Sequence, residues 1–193
     1  MPNAPLRLAV IIGSNREGRF GGTVAEWFAG VARRNAGVAV EMIDLAEHHL
    51  PTVISMEPAP EVRRVLDEVS GRLERADAFA VVTPEYNHSY PASLKNLLDW
   101  TGTQWHAKPV GFVSYGGVAG GSRAVEHLRT VCAELHAATV RDVVTLSNVW
   151  EQFGEDGQVT NDTAPAAAKT LLDQLIWWGN ALRDARAKTP YSG

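Results

Sequence analysis

Two stretches of this 193-residue chain hold residue types suited to binding a small molecule that is anionic at one end and planar at the other. The first is Gly13-Ser14-Asn15-Arg16-Glu17-Gly18-Arg19-Phe20-Gly21-Gly22, with four glycines, a hydroxyl and two guanidiniums in ten residues. Glycines let a backbone curl until its amide hydrogens converge. Ser14 adds a neutral donor, and Arg16 and Arg19 add charge. A helix that begins just afterwards contributes its positive amino end. Such a segment suits phosphate; the plainer alternative is a glycine-rich turn with solvated arginines. No two glycines stand two apart in the chain and no lysine follows a glycine, which disfavours both a dinucleotide fingerprint and a Walker loop.

The second stretch runs from Phe79 to Trp100. The apolar run Phe79-Ala80-Val81-Val82 stops at Thr83-Pro84, and Pro84 cannot donate to a strand ladder. Glu85, Tyr86 and Asn87 should therefore leave the sheet with several backbone N–H groups unpaired, free to face a planar hydrogen-bonding ligand. Pro91 falls where a first helical turn tolerates proline, and Leu94, Leu97, Leu98 and Thr101 follow at helical spacing. An ordinary crossover turn is the alternative. A third glycine-rich segment, Tyr115-Gly116-Gly117-Val118-Ala119-Gly120-Gly121, allows close backbone approach to something flat or to another chain.

The elements that must position these loops follow from the apolar pattern. Buried-strand runs are expected at Leu8–Ile12, Val38–Asp44, Ala78–Thr83, Pro109–Ser114 and Thr139–Leu146. Helical spacing joins them. Val24, Trp27, Phe28 and Val31 mark one helix, a second spans about Glu61–Leu73, and the third follows Pro91. A fourth is capped by Ser122 and carries Val125, Leu128, Thr130 and Leu135; the last spans Ala164–Ala187. Five strand-helix units imply right-handed crossovers and a parallel sheet covered on both faces. The fold class is α/β: a flavodoxin-like doubly wound five-stranded parallel sheet of order 2-1-3-4-5, in one domain over 1–193 with its core at about 6–182. Its ligand crevice lies beyond strands one and three, which carry the two stretches above.

Bulk properties narrow the function. A hydrophobic content of 45% and a charged content of 21% are those of a globular domain, and a net charge of −4 argues against a nucleic-acid surface. The single cysteine, Cys132, sits in a helical stretch as a buried thiol. The apolar run Leu8–Ile12 is too short for a signal peptide and no spanning segment is expected, so the cytoplasm is the expected location and no membrane a partner. His48 and His49 point in different directions and no metal site is expected. Asp44 is a turn or capping residue. Gly120-Gly121-Ser122-Arg123-Ala124 approaches a nucleophile elbow, but Ala124 replaces the last glycine, and His127 and His136 share the serine's helix.

Gly13-Ser14-Asn15-Arg16 through Phe20, Thr83-Pro84-Glu85-Tyr86-Asn87-His88-Ser89 with Pro91 and Leu94–Trp100, and Ser114-Tyr115-Gly116-Gly117 together resemble the NADPH-dependent FMN reductase family of quinone, azo-dye and chromate reductases. The resemblance covers roughly Leu6 to Leu182. It implies that Ser14 and Arg16 hold the FMN phosphate with the backbone near Phe20, and that Arg19 adds charge where many members have a serine. Pro84, Glu85, Tyr86 and Asn87 would line the isoalloxazine ring, and Ser114, Tyr115, Gly116 and Gly117 its other edge. NADPH or NADH would be the electron donor and a quinone, azo compound, metal oxyanion or free flavin the acceptor, in ping-pong order with no acid-base side chain. A homodimer or homotetramer is implied, and Leu94, Leu97, Leu98, Trp100 and Trp105 could supply apolar interface or fill the protomer's own core. An FMN-carrying electron-transfer or regulatory module is the alternative function.

Overall fold

The computed structural model describes residues 4–192. Five strands, β1 (Leu6–Ile12), β2 (Val38–Asp44), β3 (Ala78–Pro84), β4 (Pro109–Tyr115) and β5 (Ala138–Leu146), pair in parallel in the order β2-β1-β3-β4-β5. This is the doubly wound, flavodoxin-like sheet expected from the alternation of apolar runs. β3 and β4 are buried at every position, which is why their sequences are continuously apolar; the edge strands β2 and β5 are only partly covered.

Helices α1 (Gly21–Arg33) and α5 (Thr163–Lys188) cover one face, where Phe28, Val10, Val113 and Leu171 form a core. On the other face lie α2 (Pro60–Arg75), α3 (Ala92–Trp100) and α4 (Ser122–Glu134), packed through Leu73, Leu94, Phe112 and Leu128. Close packing of α5 on the sheet depends on Gly111: a Cβ there would stand 2.7 Å from Leu171 Cδ1. Cys132 is buried and its thiol is pushed up to about 12 by burial, so it belongs to the core.

Three expectations are corrected. Ser122 does not cap α4. Gly121 holds the N-cap position at φ 86°, because the chain there passes so close to β4 that a Cβ would lie 2.8 Å from Ser114 Cβ. Thr130 is exposed, since the buried stripe of α4 runs through Val125, Leu128 and Cys132. Pro91 is the residue before α3 rather than part of its first turn, with ψ 145°. On α3, Leu94, Leu97 and Leu98 are buried within the protomer. Trp105 is fully buried against Phe79 at 4.5 Å and donates from Nε1 to Thr101 Oγ1 at 2.8 Å. These residues fill the protomer's own core, and only Trp100 of that group keeps partial exposure.

Candidate functional site

The sheet order reverses between β1 and β3, and the loops leaving their carboxyl ends open a crevice there. After β1 the chain runs through Gly13 to Phe20 before α1 begins. Ser14 is fully buried; its hydroxyl accepts from Arg16 N–H at 3.3 Å and shares a 2.7 Å hydrogen bond with the Tyr86 hydroxyl. Tyr86 therefore reaches the glycine- and arginine-rich loop after β1, a contact across 72 residues. Arg16 is exposed, and its guanidinium has no ion-pair partner among the described residues. Helix α1 has no side-chain cap, since Phe20 occupies the N-cap, and no acid in its first turn. An uncapped amino end leaves amide donors and positive potential facing the loop.

Arg19 is placed differently. Its Nη2 forms a close ion pair with Asp44 Oδ2, and its Nε is buried without a partner. Asp44 does act as a turn residue, accepting from Ala46 N–H at 2.9 Å, but its second oxygen restrains Arg19. No local signal marks that pair, because the two residues meet only through β1–β2 pairing.

The loop after β3 corrects the expected row of free amides. Glu85 N–H donates to Tyr115 O at 3.2 Å, and Tyr86 and Ser89 exchange backbone bonds of 2.8 and 3.1 Å. Asn87 and His88 both have positive φ, 49° and 69°, the type I′ pattern that doubles the chain back at once. Of the three amides expected to be free, Glu85, Tyr86 and Asn87, that of Asn87 alone is left without a partner among the described residues. Helix α4 fixes both ends of this turn. Arg123 donates to the Glu85 carboxylate from its backbone at 3.3 Å and its side chain at 2.5 Å, and Ser89 Oγ bonds His127 Nδ1 at 3.0 Å.

The third loop follows β4. Ser114 is fully buried, and its hydroxyl donates weakly to Val144 O at 3.4 Å. The Tyr115 side chain turns into the core below α1, where its hydroxyl occupies the place a Cβ on Gly21 would need, 2.7 Å away. Burial raises its phenol far above the ordinary value. That hydroxyl is buried with no hydrogen-bond partner among the described residues. Gly116 and Gly117 are bound to the loop after β5: Val149 N–H donates to Gly116 O at 3.1 Å and Asn148 N–H to Gly117 O at 3.0 Å. The glycines that backbone conformation demands are Gly120 and Gly121, at φ 57° and 86°, packed against the chain's own β5 loop and β4.

Residues 6–151 match the model of a family described as NADPH-dependent FMN reductase. An NAD(P)H-dependent FMN reductase of Schizosaccharomyces pombe is 35% identical over 125 residues, which cover 61% of this chain and 62% of that protein, just under two thirds of its length. A probable NADPH:quinone oxidoreductase of Oryza sativa subsp. japonica is 33% identical over 183 residues, 88% of this chain and 90% of the relative. Among solved structures, a flavoenzyme NAD(P)H:(acceptor) oxidoreductase from Paracoccus denitrificans superposes with a TM-score of 0.74 at 24% identity, covering 91% of this chain and 98% of that one. That last likeness is one of fold.

Proposed function

The chain belongs to the NADPH-dependent FMN reductase family, and from that premise we propose that it is an oxidoreductase that binds FMN over the ends of β1 and β3. NAD(P)H is the donor and a small molecule, a quinone above all, the acceptor. The observation that carries this is the donor set at the switch point. An uncapped α1, the Arg16 guanidinium, which has no ion-pair partner among the described residues, and the Ser14–Tyr86 hydroxyl pair meet at one loop with no acid in the helix's first turn. That set fits a phosphate monoester.

In this proposal Ser14, Arg16 and the amides following Phe20 hold the phosphate, with Arg19 adding field while tied to Asp44. Pro84 and Glu85 present backbone to the ring, and Tyr86 bridges from the ring side to the phosphate side. Asn87 offers its free amide. Ser114 to Gly117 border the opposite edge by backbone. The bound flavin supplies hydride chemistry. The protein's part is positional: Arg123 and His127 hold the Glu85–Ser89 turn rigid, and the Tyr115 carbonyl fixes Glu85. Donor and acceptor using one open face in turn gives ping-pong kinetics. Assembly as a homodimer or homotetramer and a cytoplasmic location belong to the same proposal on the family relationship alone. No described helix is long and apolar enough to cross a membrane.

The test is an absorbance spectrum of the protein incubated with FMN and desalted, followed by anaerobic NADPH. Retained yellow colour that bleaches is the expected result. Colour that persists would replace the reductase with an electron-carrying module, and a colourless protein that does not accelerate NADPH oxidation when FMN is supplied would overturn the proposal.

A further inference from the structure

Eight large apolar side chains stand well exposed among the described residues, and five of them lie in loops at the carboxyl edge of the sheet. Val53, Ile54 and Met56 follow β2, Val118 follows β4 and Trp150 follows β5. Two of them, Val118 and Trp150, follow the neighbouring strands β4 and β5, on the side of the crevice bordered by the glycine loop. The Trp150 side chain is 62% exposed although an indole is among the most favourable groups to bury.

Nor is Trp150 loosely held. It sits in a short 3-10 turn, Val149–Glu151, entered through Asn148 at φ 46°. Glu151 N–H closes the turn on Asn148 O at 2.8 Å, and Val149 and Asn148 donate to the carbonyls of Gly116 and Gly117. The ring leans over the exposed Gly117, whose missing Cβ would lie 3.9 Å from Trp150 Cη2. Backbone hydrogen bonds thus anchor the residue that carries this planar, apolar face beside the loop that borders the proposed ring site. Two-torsion aromatics offer contact area at low entropic cost.

We propose that Trp150 is a specificity-determining residue: its indole forms one wall of the acceptor site and stacks on planar aromatic acceptors of the quinone class, favouring them over small inorganic ones. The inference rests on the flavin reductase function proposed above. It is tested on FMN-loaded enzyme with 1,4-naphthoquinone and with ferricyanide, at saturating NADPH. Trp150→Ala raises the KM for naphthoquinone about tenfold relative to that for ferricyanide, and Trp150→Phe restores most of the difference. A naphthoquinone-to-ferricyanide KM ratio that matches wild type would overturn the inference.

Direct binding separates this failure from failure of the function. Naphthoquinone quenches tryptophan fluorescence in the wild type, and the saturable part of the quenching is lost in Trp150→Phe. If the wild type oxidises NADPH with neither acceptor, the reductase function falls, and loss of saturable quenching in Trp150→Phe still supports the wall. Equal saturable quenching in both proteins overturns the wall whether or not the enzyme turns over.

Discussion

Arg16 and Arg19 stand three residues apart in one loop, alike in type and charge, and their surroundings give them different work. Arg16 is exposed with no carboxylate partner among the described residues, which suits its charge to a ligand. Arg19 is held by Asp44, whose side chain is only 17% exposed. Arg16→Ala should weaken FMN binding about 10- to 100-fold, the worth of one charge-assisted hydrogen bond, and leave the melting temperature of the FMN-free protein unchanged. Arg19→Ala strips a partly buried carboxylate of its counter-charge and should cost about 2 kcal/mol, near 5 °C in melting temperature. Flavin-fluorescence titration and thermal melts of the two variants check the contrast. Equal effects on binding and stability would mean that the cradle does not divide in this way. The sequence shows both arginines as candidates for one role. It does not show the Asp44 contact, because residues 25 apart meet only once β1 and β2 pair. The Tyr86 hydroxyl is hidden for the same reason: Tyr86 reads as a ring-side residue until the turn at Asn87 and His88 sends it back to Ser14. Neither of those turn residues is the glycine that usually announces positive φ.

At the scale of elements, the strands were legible because β3 and β4 are buried on both faces and their sequences contain little else but apolar residues. Helix ends were less so. Gly121 caps α4 for a packing reason, its contact with β4, that no capping preference encodes. The end of α2 is another case. Lys108, the residue before β4, is 5% exposed, and its ammonium donates to the last carbonyls of α2, Leu73 O at 2.9 Å and Glu74 O at 2.8 Å. A cation there complements the helix dipole. Burial, the largest influence, nevertheless lowers its pKa to about 8. The unfolded chain, with an ordinary lysine near 10.4, binds more protons between pH 8 and pH 10, so this residue makes stability rise with pH across that window and fall again as pH drops to 8. Lys108→Met removes the rise. Between pH 8 and pH 10 the wild type should gain about 4 °C relative to the variant. Parallel melting curves at both pH values would show that the ammonium is as well solvated in the fold as outside it.

For the molecule as a whole, the order of the sheet decides which loops meet, and that order was legible because five strands alternate with five helices. The reversal between β1 and β3 brings the arginine loop and the Tyr86 turn to one crevice, and β4 and β5 add the glycine loop and Trp150 beside it. A ligand that uses the crevice must therefore bridge loops from several strands, and it stabilises only the folded chain. Such binding adds RT ln(1 + [L]/Kd), about 2.7 kcal/mol when the ligand stands at 100 times its Kd. For a chain of this size that is a rise of about 5–10 °C in melting temperature. FMN should produce it. Riboflavin, which has the ring without the phosphate, should give a clearly smaller rise at the same concentration, because it forgoes Arg16, Ser14 and the uncapped end of α1. In Arg16→Ala the two ligands should converge. Equal shifts by FMN and riboflavin in the wild type would show that the glycine and arginine loop after β1 contributes nothing to recognition, and would leave binding to the ring edges at Glu85 to Asn87 and Ser114 to Gly117.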